Sequence, residues 1–247
     1  MTDPIVENPF AAGRVLLIDK PLDWTSFDVV RKLRNQVKTK KVGHAGTLDP
    51  LATGLLIVCT GKFTKKINEF MAQEKEYTGT IQLGASTPTY DLESTPVPTP
   101  GYILDATGLR TDAGRELEET VINVAMDAFR GPIMQVPPIH SAIKIKGQRV
   151  YELARKGKEV QLEPRPVTIR EFSIIRLDAG LLYFKVICTT GTYIRSLAND
   201  LGQVLGCGGY LTSLRRTRIG EYSVEQAMSM DAAASFIQQE LEGRIDT

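Results

Sequence analysis

The chain has 247 residues, 42% hydrophobic and 24% charged, with a formal net charge of +1, which suits a soluble globular protein with one large core or two small ones. No run approaches the roughly 18 apolar residues of a membrane helix, and the opening MTDPIVENPF has acids and prolines where a secretory signal carries positive charge, so a cytoplasmic protein is expected. Three scattered cysteines with no C-x-x-C pair, and only two histidines, argue against a structural zinc site or a disulfide framework.

Residues 14–19 (RVLLID) read as a buried strand ended by Pro21. Thr25 or Ser26 can cap a helix over 27–36, whose Val29, Val30, Leu33 and Val37 recur at helical spacing. The stretch 43–54 is loop-like, an apolar run follows at 55–59, and a helix is expected near 62–71. Residues 77–83 alternate like a strand. The Pro-, Thr- and Gly-rich segment 94–114 reads as an exposed excursion before a helix near 115–129. An extended segment around 133–145 and a short basic helix over 149–156 come next. Strands are expected at 167–177 and 182–189, joined by a turn at Asp178-Ala179-Gly180. A helix over 193–205 should stop at Gly206. Residues 210–222 read as extended and 224–241 as a final helix. Hairpin-like pairs outnumber βαβ units, which points to an α+β fold with a mixed, mostly antiparallel sheet and helices packed on it.

The near-zero net charge hides segregation. Between residues 31 and 43 there are six basic residues (Arg31, Lys32, Arg34, Lys38, Lys40, Lys41) and no acid. Lys62, Lys65 and Lys66 follow. A second cluster runs through Lys144, Lys146, Arg149, Arg155, Lys156 and Lys158, and a third is Arg215, Arg216 and Arg218. Each alone reads as solvated surface; together they can present a basic face to phosphates. Asp91 and Glu93 also read as solvated surface. No phosphate-loop, dinucleotide or zinc-deaminase signature survives inspection.

The most informative run is Gly43-His44-Ala45-Gly46-Thr47-Leu48-Asp49-Pro50-Leu51-Ala52-Thr53-Gly54. Three glycines and a proline shape a compact loop that places one carboxylate beside a phosphate-attracting stretch. From residue types alone, Asp49 is a turn-capping aspartate before proline. Carried on into Leu55, the run resembles the active-site motif of the TruB family, the tRNA pseudouridine-55 synthases. Further segments resemble that family in the same order: Asp19-Lys20-Pro21 to Thr25-Ser26, Lys75 to Gly79, Phe129 to Pro138 and on to Arg155, and Gly191-Thr192-Tyr193-Ile194-Arg195 to Gly202.

The resemblance implies a pseudouridine synthase fold and isomerisation of uridine 55 in the tRNA T-loop, the base being flipped out of the folded loop and its glycosidic bond broken and re-formed. It implies catalytic roles for Asp49, Tyr77 and Arg195. Asp49 would be the essential carboxylate, Tyr77 the tyrosine that stacks on the base, and Arg195 the cation that keeps Asp49 ionised. It implies substrate-binding roles for His44, Lys20, Pro21, Gly43, Thr47 and Leu214. An isomerisation needs no cofactor or metal, so none is expected. The partner is the T-arm of tRNA; no membrane and no obligatory protein partner are expected, and the chain is expected to be a monomer.

Residues 1–247 are expected to form one catalytic domain, with a family-specific insertion around 85–160 and no separate C-terminal RNA-binding domain. Asp23 stands where the family has glycine, and His140 where an aromatic residue is common. Two rivals share the scaffold: a non-catalytic RNA chaperone, and the catalytic subunit of a guide-RNA ribonucleoprotein.

Overall fold

The computed structural model describes residues 8–106, 108–139, 144–145, 148–149 and 162–243. The chain opens with a helical turn, α1 (Pro9–Ala12), strand β1 (Val15–Lys20), helix α2 (Ser26–Val37), and strands β2 (Val42–His44) and β3 (Ala52–Thr60). A 3₁₀ segment, Gly61–Lys66, leads into α3 (Ile67–Ala72) and β4 (Lys75–Leu83). Short strands follow: β5 (Ala85–Ser86), β6 (Val97–Pro98), β7 (Tyr102–Asp105) and β8 (Gly108–Thr111). Then come α4 (Glu119–Asp127), β9 (Gly131–Gln135), β10 (Lys144–Ile145), β11 (Gln148–Arg149), β12 (Arg165–Asp178) and β13 (Leu181–Cys188). The chain closes with α5 (Ile194–Leu205), β14 (Gly209–Ile219), β15 (Tyr222–Ser223) and α6 (Met230–Glu242).

These elements form two compact units, one made of the chain up to Tyr77 together with the part from Arg215 onward, the other of Thr78–Leu214. In the first unit β1 pairs antiparallel with β3 from Val15↔Cys59 to Lys20↔Gly54, and β2 pairs with β3 from Val42↔Thr60 to His44↔Val58. β14 neighbours β3, and its end turns back into β15. Helix α2 packs Val29, Val30, Leu33 and Val37 against Leu16, Ile18, Leu56 and Val58, with Ala233 and Ile237 of α6 in the same cluster. Leu55, Ile57 and Cys59 face the opposite way, against Ala45 and Ile219. Both faces of β3 are therefore buried over 55–59, which explains why that part reads as an unbroken apolar run. A complete capping box starts α2: Thr25 Oγ1 accepts from Asp28 N, and the Asp28 carboxylate accepts from Thr25 N.

In the second unit β12 and β13 form a long antiparallel hairpin, with β9 on the far edge of β12. Its two-residue turn places Ala179 at φ 45° and Gly180 at φ 78°, the pair of positive values that a type I′ turn needs. Helix α5 ends at Gly206 with φ 74°, as its sequence suggests. Gly202 of α5 meets the chain at Gly208 and Gly209 so closely that a Cβ would lie 2.1 Å from Gly209 N.

Several expectations need adjustment. The segment 94–114 is not a bare excursion: β7 and β8 pair within it, and Leu109 is buried. The helix expected near 115–129 begins only at Glu119, and the one expected over 62–71 starts as a 3₁₀ turn. The final helix begins at Met230, capped by the Ser229 hydroxyl, after a separate 3₁₀ turn at Val224–Gln226. The basic helix expected over 149–156 and the substitution at His140 lie outside the described residues, except that Arg149 belongs to β11.

Candidate active site

Asp49 lies in the short connection between β2 and β3, and the backbone around it is tied down at successive points. Gly46 turns the chain with φ 97°, and its carbonyl accepts from Arg216 Nη2 at 3.1 Å. Ser26 Oγ, at the start of α2, accepts from Leu48 N at 2.8 Å and donates to Leu48 O at 3.1 Å. The Asp49 carbonyl accepts from Ala52 N at 3.0 Å. The Pro50 carbonyl accepts from Asp23 N at 3.0 Å and from Lys20 Nζ at 3.3 Å. Asp23 has φ 64°, the left-handed conformation that glycine adopts easily and aspartate tolerates. Gly54 closes the segment with φ 99°, and a Cβ there would lie 2.3 Å from the Arg216 carbonyl oxygen.

Lys20 is fully buried at the end of β1. Its ammonium donates to the carbonyls of Pro21 at 2.9 Å, Trp24 at 2.5 Å and Pro50 at 3.3 Å. Burial lowers its pKa to about 8, and the nearby Asp49 carboxylate works against that fall. Lys20 is thus a tie between the β1 end and the Asp49 loop, and Pro21 is one of its acceptors. His44, half-buried on β2, has its pKa pushed down by burial and then by the charge of Arg216, which favours its neutral form. Gly43 sits where a Cβ would meet Ile67 Cδ1 at 2.8 Å. Thr47 is exposed at the tip of the loop.

The first unit therefore gathers Lys20, Pro21, Gly43, His44, Thr47 and Asp49 around one loop. Tyr77, on β4 in the same unit, is buried at 8% exposure. Arg195 and Leu214 belong to the second unit. Arg195 is buried on α5; its Nε lies 3.7 Å from Asp91 Oδ2 and its Nη1 donates to the Thr89 carbonyl at 3.3 Å. Asp91 is buried too, which corrects its reading as solvated surface. Leu214 is half-buried on β14.

The third basic cluster also reads differently once folded. Arg216 is fully buried. Arg215 forms a two-pronged pair with Asp19, at 2.7 and 3.0 Å. Arg218 reaches Glu74 at 3.4 Å and Glu76 at 3.6 Å. These three are committed to protein partners. Of the first cluster, Arg31, Lys32, Lys38, Lys40 and Lys41 are exposed, as are Lys62, Lys65 and Lys66, whereas Arg34 is half-buried and donates to the Val42 carbonyl at 3.4 Å. Sequence reasoning missed Ser26 as a loop anchor, and missed that Arg216 and Asp91 are enclosed. The one signal for Ser26 was its position beside the predicted cap of α2.

A mostly antiparallel sheet with helices, carrying a glycine-bounded aspartate loop beside exposed basic residues, has the architecture of the pseudouridylate synthases. A solved chain in the crystal structure of a Cbf5–Nop10–Gar1 complex matches this fold with a TM-score of 0.71 and 26% identity, over 96% of this chain and 58% of that one. The model for the TruB family pseudouridylate synthase N-terminal domain matches residues 34–194, and that for the tRNA pseudouridylate synthase B C-terminal domain matches residues 195–245. The chain belongs to the TruB family. Among its relatives, proteins called tRNA pseudouridine synthase B are 46% identical in Parabacteroides distasonis, over 93% of this chain and 95% of that protein, and 50% identical in Flavobacterium johnsoniae, over 90% and 94%.

Proposed function

We infer that this chain is a tRNA pseudouridine synthase that converts uridine 55 of the T-loop into pseudouridine. The observation that carries the reading is the Asp49 loop, whose backbone is anchored through Gly46, Leu48 and Pro50 to three other elements, inside a chain of the TruB family. Such anchoring holds a reacting carboxylate in place before substrate arrives.

In the reaction the N1–C1′ bond breaks, the uracil rotates, C5 bonds to C1′ and the C5 proton leaves while N1 gains one. The composition of the substrate is unchanged, so the chemistry demands no oxidant, cofactor or second substrate. Asp49 supplies the carboxylate on which cleavage depends. The family resemblance assigns Tyr77 as the aromatic face for the flipped base and Arg195 as the fixed positive charge of the site. The same resemblance assigns substrate-binding roles to His44, Lys20, Pro21, Gly43, Thr47 and Leu214. Recognition rests on the shape of the T-arm and its phosphates, met by the exposed basic residues of 31–41 and 62–66. The enzyme works in the cytoplasm as one catalytic domain, a monomer with no obligatory protein partner. Relatives of nearly the same length that carry the enzyme's name support the assignment of the reaction.

The test is tritium release from a tRNA transcript labelled at uridine C5, because forming the C5–C1′ bond expels that hydrogen. Release by the wild type, and none by Asp49→Asn at equal tRNA binding, is expected. Binding without release by the wild type would overturn the reading in favour of an RNA chaperone or of a missing partner.

A further inference from the structure

Among the described residues, Arg216 is the largest side chain that is less than 2% exposed. A guanidinium taken out of water needs strong hydrogen bonds to offset its desolvation, and here they go to the backbone. Nε donates to the Leu55 carbonyl at 2.8 Å and Nη2 to the Gly46 carbonyl at 3.1 Å. Gly46 and Leu55 bound the stretch that contains Asp49, so one rigid planar group spans both ends of the loop. The Arg216 backbone takes part as well. Gly54 packs against it so closely that a Cβ added there would lie 2.3 Å from the Arg216 oxygen and 2.8 Å from its nitrogen. The charge of Arg216 is felt on both flanks of the loop, at Lys20 and at His44.

We propose that Arg216 is a positioning residue for Asp49: its guanidinium clamps the two ends of the 46–55 segment and so sets where the carboxylate stands. This rests on the reading of Asp49 as the reacting carboxylate. The clamp does not touch substrate. It acts by removing freedom from the loop, and misplacement of a reacting group by about an ångström costs on the order of 100-fold in rate. Lysine keeps the charge but has a single nitrogen on a flexible stem, so it cannot hold both carbonyls in the same fixed geometry.

The experiment compares full-length wild type, Arg216→Met, Arg216→Lys and Asp49→Asn. Each is assayed for single-turnover tritium release across a tRNA titration, at a temperature where circular dichroism shows it folded. The clamp predicts that Arg216→Met loses about 30-fold or more in the maximal rate while half-saturating tRNA moves less than about threefold. Arg216→Lys should restore the rate only in part. A purely structural role lowers the melting temperature but leaves the maximal rate of the folded variant within about twofold of wild type, and that result would overturn the proposal. If Arg216→Met does not fold, Arg216→Lys decides alone: a loss of maximal rate of about fivefold or more supports the clamp and an unchanged rate sinks it. Asp49→Asn separates the two claims. Inactive Asp49→Asn beside fully active Arg216 variants removes the clamp only, whereas active Asp49→Asn removes the reading of the loop itself.

Discussion

The hydroxyl of Ser26 both accepts from Leu48 N at 2.8 Å and donates to Leu48 O at 3.1 Å, so one side chain at the start of α2 satisfies both backbone groups of the residue before Asp49. Ser26 and Leu48 are both buried, and water cannot replace the missing partner. Ser26→Ala should destabilise the chain by about 1–3 kcal/mol, the cost of leaving buried polar groups unpaired. It should also slow single-turnover tritium release without weakening tRNA binding. Urea unfolding and the release assay check the two effects, and a variant as stable and fast as wild type would show that the anchor is dispensable.

Lys20 yields a prediction with a definite sign in pH. Its pKa is lowered by burial from 10.5 in a free chain to about 8 in the fold. Between those values the unfolded chain holds a proton at Lys20 that the folded chain has shed. Stability from this group therefore rises with pH across that window, and the burial penalty is largest below it. Urea unfolding of wild type at about pH 7.5 and about pH 9.5, each referenced to Lys20→Met, should show the wild type gaining relative to the variant at the higher pH. A difference that does not change with pH would mean that Lys20 titrates at its ordinary value.

What was legible in the sequence was local. The spacing of Val29, Val30, Leu33 and Val37 gave α2, with Thr25 as its cap, and Ala179-Gly180 gave the hairpin turn. What was hidden depended on partners far along the chain. Arg216 looked like its basic neighbours because its acceptor, Gly46, lies 170 positions away. Arg215 finds Asp19 across 196 positions, and Asp91 is buried against Arg195 on α5. A charge cluster in a sequence does not reveal which of its side chains the fold encloses. The β7–β8 hairpin was masked by the proline, threonine and glycine content of 94–114, in which Gly101, Gly108 and Gly114 all have positive φ. The Asp49 loop was found because glycine, proline and one acid are short-range features, and because its motif resembles a known family.

Gly54 is constrained twice over. Its φ of 99° is strained for any residue with a Cβ, and a Cβ would press into the backbone of Arg216 at 2.3 Å. Backbone cannot swing aside as a side-chain tip can. Gly54→Ala should therefore destabilise by about 3 kcal/mol or more, well above the typical point substitution. Gly101 has φ 85° with open space around it. Gly101→Ala meets the backbone strain alone and should cost about 1–2 kcal/mol. Thermal unfolding of the pair separates collision from conformation, and equal losses would mean that the close approach to Arg216 relaxes freely.

The exposed lysines between α2 and β2 test the polyanion face. Lys40 and Lys41 are both exposed, and neither belongs to the Asp49 loop or its side-chain anchors. Replacing both with glutamate removes two cations and adds two anions to a surface expected to meet tRNA phosphates. For every phosphate that is no longer neutralised, the slope of log K against log salt becomes shallower by about 0.7 to 0.9. The double variant should bind tRNA at least about tenfold more weakly in low salt, with a shallower salt dependence, while the two affinities converge as salt rises. Its maximal single-turnover rate at saturating tRNA should match wild type, because these lysines deliver substrate and do not touch the reacting base. An unchanged affinity would place the phosphate-binding role on other basic residues, such as Lys62, Lys65 and Lys66. Weaker binding with an unchanged salt slope would mean that the two lysines act through something other than counterion release.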